Sequence, residues 1–210
     1  FDVLRDLNTK PSHSLSYYVS ELVGNELLKK RWEDASLLYN VTKYADWKDR
    51  VTSRPGNVAL YYALLRELRP NIIVETGTAS GSMTSFILAA LEANGSGRLI
   101  SIDIPPEAGK LTMDLTISKD EIGYWIPKEF HHRWDYQHGD AKLLLPKILA
   151  EFPVDVFVHD SLHTRTHMTF EYAVARGLMR ENSLIISDDI LWNNSFEDFL
   201  ALHKQKGYAP

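Results

Sequence analysis

The sequence has no cysteine, which excludes a disulfide framework and a thiolate metal site. It has no stretch long and apolar enough to cross a bilayer as a helix. It also lacks a long run of Lys or Arg, and its net charge is -5. Those two features argue against nucleic acid or an anionic membrane as the main partner, so small molecules are expected instead. The chain begins at Phe1 rather than at an initiator Met, as a trimmed chain would, and a targeting segment is therefore not legible here. The cytoplasm is the compartment these absences point to. At 210 residues the length suits one α/β domain with a substantial core and some decoration.

What is present is organised around residues 71–105. The apolar run Ile72 to Val74 ends in Glu75 and a turn, Thr76-Gly77-Thr78-Ala79-Ser80-Gly81. Met83 to Ala93 then reads as a helix and Leu99 to Ile102 as a second short strand, which makes a βαβ unit. Gly77 and Gly81 allow a sharp turn that brings a ligand against the helix N-terminus, and Asp103 lies at the tip of the second strand, where ribose hydroxyls are held in α/β folds. A nucleoside-containing cofactor is the first expectation; an ordinary ligand-free turn is the alternative. The dinucleotide fingerprint GxGxxG placed on Gly77 fails, because Ala79 and Ser82 stand where it needs glycine.

Before this unit, residues 1–14 read as an arm, Ser16 to Trp32 as a helix, and Asp34 to Lys43 as a second. Residues 1–56 are expected at least to cover a sheet edge. Asn57 is expected to cap a helix through Leu68, ended by Pro70. After Asp103 comes an aromatic-rich insertion, about 104–134, read either as a lid or substrate wall or as packing over the sheet edge. Its adjacent His131 and His132 would point about 100° apart on a helix, so a solvated pair is preferred to a metal chelate. Asp135 to His138 forms a short strand, and Asp140-Ala141 opens a helix from Lys142 to Phe152, with Asp140 as its N-cap.

The polar chemistry gathers at the ends of two later strands. Val154 to Val158 runs into His159-Asp160-Ser161-Leu162-His163, and Ser183 to Ser187 runs into Asp188-Asp189. Parallel strands place their C-terminal ends side by side, so Asp160, Asp188 and Asp189 are expected to converge. Three such carboxylates repel unless a cation compensates, and Mg²⁺ or another hard divalent ion accepts an all-oxygen set. The alternative is that Asp160 and Asp188 cap the following segments while Asp189 is solvated. His163 could take a hydroxyl proton near neutrality, or be bonded to backbone where its helix begins. His159 points to the other side of its strand and reads as packing.

Glu75-x-Gly77-x-x-x-Gly81 resembles motif I of class I S-adenosylmethionine-dependent methyltransferases. Together with Trp125-Ile126-Pro127, Gly139-Asp140, His159 to Thr164, and Ser187-Asp188-Asp189 followed by Trp192-Asn193, the chain resembles the bacterial cephalosporin and macrolide-sugar O-methyltransferase branch with its catechol-type metal site. The resemblance runs from Asn57 to about Phe199. It implies a Rossmann-like fold, with a mostly parallel central sheet, helices on both faces and extra N-terminal helices, in which residues 57–210 form the catalytic unit and residues 1–56 supply a lid or contacts in a homo-oligomer. It implies S-adenosylmethionine held by Glu75, Gly77, Thr78, Ala79, Ser80, Gly81, Asp103, Asp140, Ala141 and Asp160. Asp160, Asp188 and Asp189 take the three metal positions, and His163 stands where those enzymes have a lysine base. Two departures are Asp189 in place of an amide side chain, and Arg180 to Ser183 in place of Pro-Gly-Gly. Little chain remains for sixth and seventh strands, which either lie outside this sequence or are absent from a shortened sheet. The function so implied is methylation of a hydroxyl on a small natural product or sugar. Competing readings are an NAD-linked oxidoreductase and a cofactor-binding protein without turnover.

Overall fold

The computed structural model describes residues 10–39, 46–52, 58–104, 122–204 and 207. The strands are β1 (Ile72–Thr76), β2 (Arg98–Asp103), β3 (Trp134–His138), β4 (Val156–His159) and β5 (Leu184–Ser187). They form one sheet in the order β3-β2-β1-β4-β5, with every neighbouring pair parallel. The helices are α1 (Leu15–Val23), α2 (Glu26–Tyr39), α3 (Trp47–Thr52), α4 (Val58–Leu68), α5 (Ser82–Asn94), α6 (Ala141–Glu151), α7 (Arg165–Leu178) and α8 (Ser195–His203).

Alternation along the strands separates two cores. Ile73, Leu99, Val156 and Val158 face one side and pack with α1, α3, α4 and α5 through Leu22, Val51, Leu65 and Phe86. Val74, Ile100, Ile102 and Phe157 face the other and pack with α6 and α7 through Leu145, Leu149 and Ala175. This is the doubly covered, Rossmann-like arrangement expected from the sequence. The N-terminal helices contribute Tyr18, Leu22 and Trp47 directly to the first core.

The break between the first two helices lies at Gly24-Asn25, inside the segment read as one helix from Ser16 to Trp32, and α2 runs unbroken through Asp34, where a second helix was expected to begin. Gly24 caps α1 through bonds to Leu22 and Ser20, and Asn25 then caps α2 by accepting from Leu28 N at 3.0 Å. A Gly-Asn pair favours this break over continuation. The expected cap Asn57 lies outside the described residues, as does 105–121 of the insertion. The insertion's return is described: Ile126 and Phe130 enter the first core, and a 3₁₀ turn, Lys128–Arg133, leads into β3. His131 and His132 are exposed; His132 donates to the Glu129 carbonyl at 2.8 Å and lies 3.2 Å from Glu92.

Candidate functional site

The five strands of the described residues end on the same edge, so the β1 turn lies between the turns after β2 and β4, with the β5 turn beyond that of β4. The strand ladder continues into these turns: Gly77 N donates to Ile102 O at 2.8 Å, Asp160 N to Thr76 O at 2.9 Å, and Asp188 N to His159 O at 2.9 Å. Gly77 has φ +85, and a Cβ there would stand 2.0 Å from the Asp160 carbonyl oxygen. The absence of a side chain therefore lets the β1 turn rest directly on the β4 turn. Gly81 has φ +80, and a Cβ there would meet Gly123 Cα and Ile126 Cγ1, both at 2.8 Å. Gly123 N and Trp125 N also donate to Ala79 O and Ser80 O, each at 3.0 Å. Residues 122–126 thus pack in a fixed position against the β1 turn.

Asp103 reaches into the turn through Oδ2, which accepts from Thr78 N at 2.9 Å and Ala79 N at 2.6 Å. Ala79 is held at φ +45, and Thr78 Oγ1 is buried with no hydrogen-bond partner among the described residues. Glu75, expected among the cofactor contacts, lies instead beneath the turn. It is fully buried and accepts from Thr84 Oγ1 and, at 2.7 Å, from Ser101 Oγ. Burial drives its pKa up to about 7, although the bonds from Ser101 and Thr84 oppose the rise. Its position makes it a support for the turn. Asp140 caps α6 by accepting from Lys142 N at 2.8 Å, with Ala141 as the first helical residue.

The three aspartates share one neighbourhood. Burial pushes the Asp160 carboxyl well above the usual carboxylate range, and the charges of Asp188, Glu75, Asp189 and Asp103 push it further. Asp188 Oδ1 accepts from Asp189 N at 2.9 Å, and Asp189 has φ +48, a conformation that short polar side chains tolerate. His163 lies between them, with Nε2 3.9 Å from Asp160 Oδ1 and Nδ1 3.7 Å from Asp189 Oδ2. Burial lowers its pKa, and the charge of His159 lowers it further, which favours the neutral ring. Its Nε2 is buried and without a hydrogen-bond partner among the described residues. Asn193 Nδ2 holds the His163 carbonyl at 3.1 Å, and Trp192 stands 5.6 Å from the ring. Among the described residues no three acids or histidines form a closed metal-ligating cluster. A hard cation would find carboxylate oxygens of Asp160, Asp188 and Asp189 at this edge, the Asp160 carboxyl being driven towards protonation first by burial and then by the charges of its neighbours.

Three participants were not read from the sequence. Tyr61 on α4 is close enough that, after burial, the charges of Asp188, Asp160 and Asp189 all raise its pKa. Arg50 on α3, buried, donates to Ser82 Oγ at 2.8 Å, which sets a guanidinium at the start of α5. His159, expected to be packing, is fully buried and donates from Nδ1 to Glu171 Oε2 at 2.6 Å. A Tyr-Tyr pair, Tyr61-Tyr62, on the helix before β1 and an acid in the interior of α7 were the available signals.

Residues 74–190 match a family model described as a methyltransferase domain. Solved structures are similar throughout most of the chain. With the Bacillus cereus O-methyltransferase in complex with SAH, the TM-score is 0.55 at 16% identity, covering 90% of this chain and 82% of that one. With TomG from Streptomyces achromogenes, an O-methyltransferase involved in tomaymycin synthesis and bound to SAM, it is 0.57 at 19% identity, covering 90% and 81%. With SAH-bound PaMTH1, a methyltransferase of Podospora anserina, it is 0.54 at 16% identity, covering 88% and 68%. At these identities the likeness is one of fold. No curated protein sequence matches the chain.

Proposed function

This chain belongs to the methyltransferase-domain family, and from that premise we propose that it moves the methyl group of S-adenosylmethionine to a hydroxyl of a small natural product or sugar, with a hard divalent ion such as Mg²⁺ in the site. The observation that carries the reading is the close approach of Gly77 to the Asp160 carbonyl, which brings the β1 turn against the β4 turn. SAM- and SAH-bound O-methyltransferases of the same fold support it.

In this reading the turn Gly77 to Gly81 and the N-terminus of α5 receive the cofactor, Asp103 faces the ribose, and Asp140 with Ala141 borders the adenine. Residues 57–210 carry the catalysis, and the helices before them supply wall, lid or oligomer contacts. S-adenosylmethionine supplies, when bound, an electrophilic methyl on a sulfonium. A divalent ion held by Asp160, Asp188 and Asp189 would supply a polarising charge that lowers the pKa of the acceptor hydroxyl. His163 takes the hydroxyl proton at Nε2, a nitrogen kept neutral by burial and by the charge of His159. The wall 122–126 and Trp192 orient the acceptor beside it.

Calorimetric titration of the protein with S-adenosylmethionine and with NAD, each with and without Mg²⁺, tests the proposal. Saturable binding of S-adenosylmethionine and none of NAD is expected. The reverse would make the protein an NAD-linked oxidoreductase, and methyl transfer that persists in full after EDTA treatment would remove the metal from the reading.

A further inference from the structure

On the face of the sheet opposite Glu75, one carboxylate collects four hydrogen bonds. Glu171 of α7 is fully buried. It accepts from Thr76 Oγ1 at 2.7 Å, His159 Nδ1 at 2.6 Å, His167 Nε2 at 2.8 Å and Ser161 Oγ at 3.1 Å. Burial alone would raise its pKa, but the bonds from His159 and His167, the charge of His159 and the bond from Thr76 outweigh it and hold the group at about 2. A buried carboxylate is no economical way to stabilise a fold, because well-packed apolar residues serve as well or better. What distinguishes this one is where its partners stand. Thr76 immediately precedes Gly77, His159 immediately precedes Asp160, and Ser161 immediately follows it. Three of the four bonds therefore end on residues flanking the two turns that meet at the Gly77–Asp160 contact. The fourth, to His167, stays within α7.

We infer that Glu171 is a positioning residue that locks the Gly77 turn and the Asp160 turn into one rigid body, so that neither can shift without the other. The inference rests on the functional reading of those turns given above. Its signature is a crossed effect. Thr76→Val removes the hydroxyl on the cofactor side, yet weakens Mg²⁺ binding as well as binding of S-adenosylhomocysteine. Ser161→Ala removes the hydroxyl on the acid side, yet weakens S-adenosylhomocysteine as well as Mg²⁺.

The test is calorimetric titration of wild type, Thr76→Val, Ser161→Ala, His167→Gln and Glu171→Gln with S-adenosylhomocysteine and with Mg²⁺, beside the Tm of each. Thr76→Val and Ser161→Ala should each weaken both ligands about 3- to 10-fold, the scale of one hydrogen bond. Glu171→Gln should weaken both about 10- to 100-fold, as loss of a group that orients ligating residues does. His167→Gln should lower Tm while leaving both affinities in place. Effects confined to one ligand per hydroxyl overturn the inference, as do affinity losses that simply follow Tm through all four variants. Should Glu171→Gln fail to fold, the two hydroxyl variants decide. If wild type binds neither ligand, the functional reading fails by itself. The positioning role is then read from amide hydrogen exchange at Gly77 and Asp160, which Thr76→Val and Ser161→Ala should accelerate and His167→Gln should not; unchanged exchange in the hydroxyl variants overturns it.

Discussion

Asp103 joins the end of β2 to the turn after β1, since one oxygen takes the amides of Thr78 and Ala79. Asp103→Ala should weaken S-adenosylmethionine binding by on the order of 1–3 kcal/mol, because it removes both the expected ribose acceptor and the partner of two turn amides. Calorimetry that finds an unchanged affinity would end the ribose assignment. Asp189 offers a cleaner change than most acids, since Asn tolerates its φ of +48 as readily as Asp does. Asp189→Asn should therefore keep the fold, and Tm should confirm that, while Mg²⁺ affinity falls for want of one charge. Asp160→Asn should lower Mg²⁺ affinity too and raise Tm in the absence of metal, because the carboxyl there is held well above its ordinary range. A metal-free Asp160→Asn less stable than wild type at pH 8 would contradict the crowding argued for this edge.

Elements differ in how clearly the sequence announces them. Apolar runs ending in polar turns gave β1, β2, β4 and β5, because burial on both faces of a parallel sheet leaves no room for alternation. The acids at their ends were legible for the same reason, as chain direction alone assigns them to one edge. The helix break at Gly24-Asn25 was harder to see, because Leu15 and Leu27 extend an apparent apolar stripe across it although both are exposed. Glu171 was legible as an acid inside α7 but not in its role, which depends on which face of α7 meets the ends of β1 and β4; spacing along α7 does not report that. Glu75 was legible in place but not in direction, since a motif fixes the residue while the pleat decides which side of the sheet it enters. The β1 turn is the element most exposed to a single change. Gly77→Ala adds a Cβ within 2.0 Å of backbone at a positive φ, so β1 and β4 must part at their ends. S-adenosylmethionine binding should be lost below detection while far-UV circular dichroism stays near wild type. Retention of normal affinity would mean that the turn is not the cofactor site.

For the whole molecule, two buried acids pull stability in opposite directions with pH. Glu171 is held at about 2 against an ordinary 4.5, so the unfolded chain binds its proton first. Its contribution is complete above about pH 4.5 and is lost as pH falls towards 2. Glu75 is raised from 4.5 to about 7, so the folded state keeps its proton longer; that contribution is present below about 4.5 and is lost as pH rises through 7. Each is worth on the order of 3 kcal/mol at most. Urea midpoints should therefore fall on both sides of an optimum in the weakly acidic range, and Glu75→Gln should flatten the decline between pH 5 and 8 without touching the decline below 4. A basic limb unchanged in Glu75→Gln would place its cause elsewhere, with Asp160 as the next acid to change.

The register that pairs Ile73 with Val156 and Val74 with Phe157 has a consequence in time. β1 meets β2 through a local crossover, but it meets β4 only after some eighty residues have intervened, and closing so long a loop is slow. A nascent chain emerging N-terminus first can complete its β1 turn long before the strand that carries Asp160 exists to rest on it. Ligand recognition should accordingly be the last property acquired during refolding. Stopped-flow recovery of tryptophan fluorescence should lead, and recovery of S-adenosylhomocysteine binding should coincide with the slowest phase.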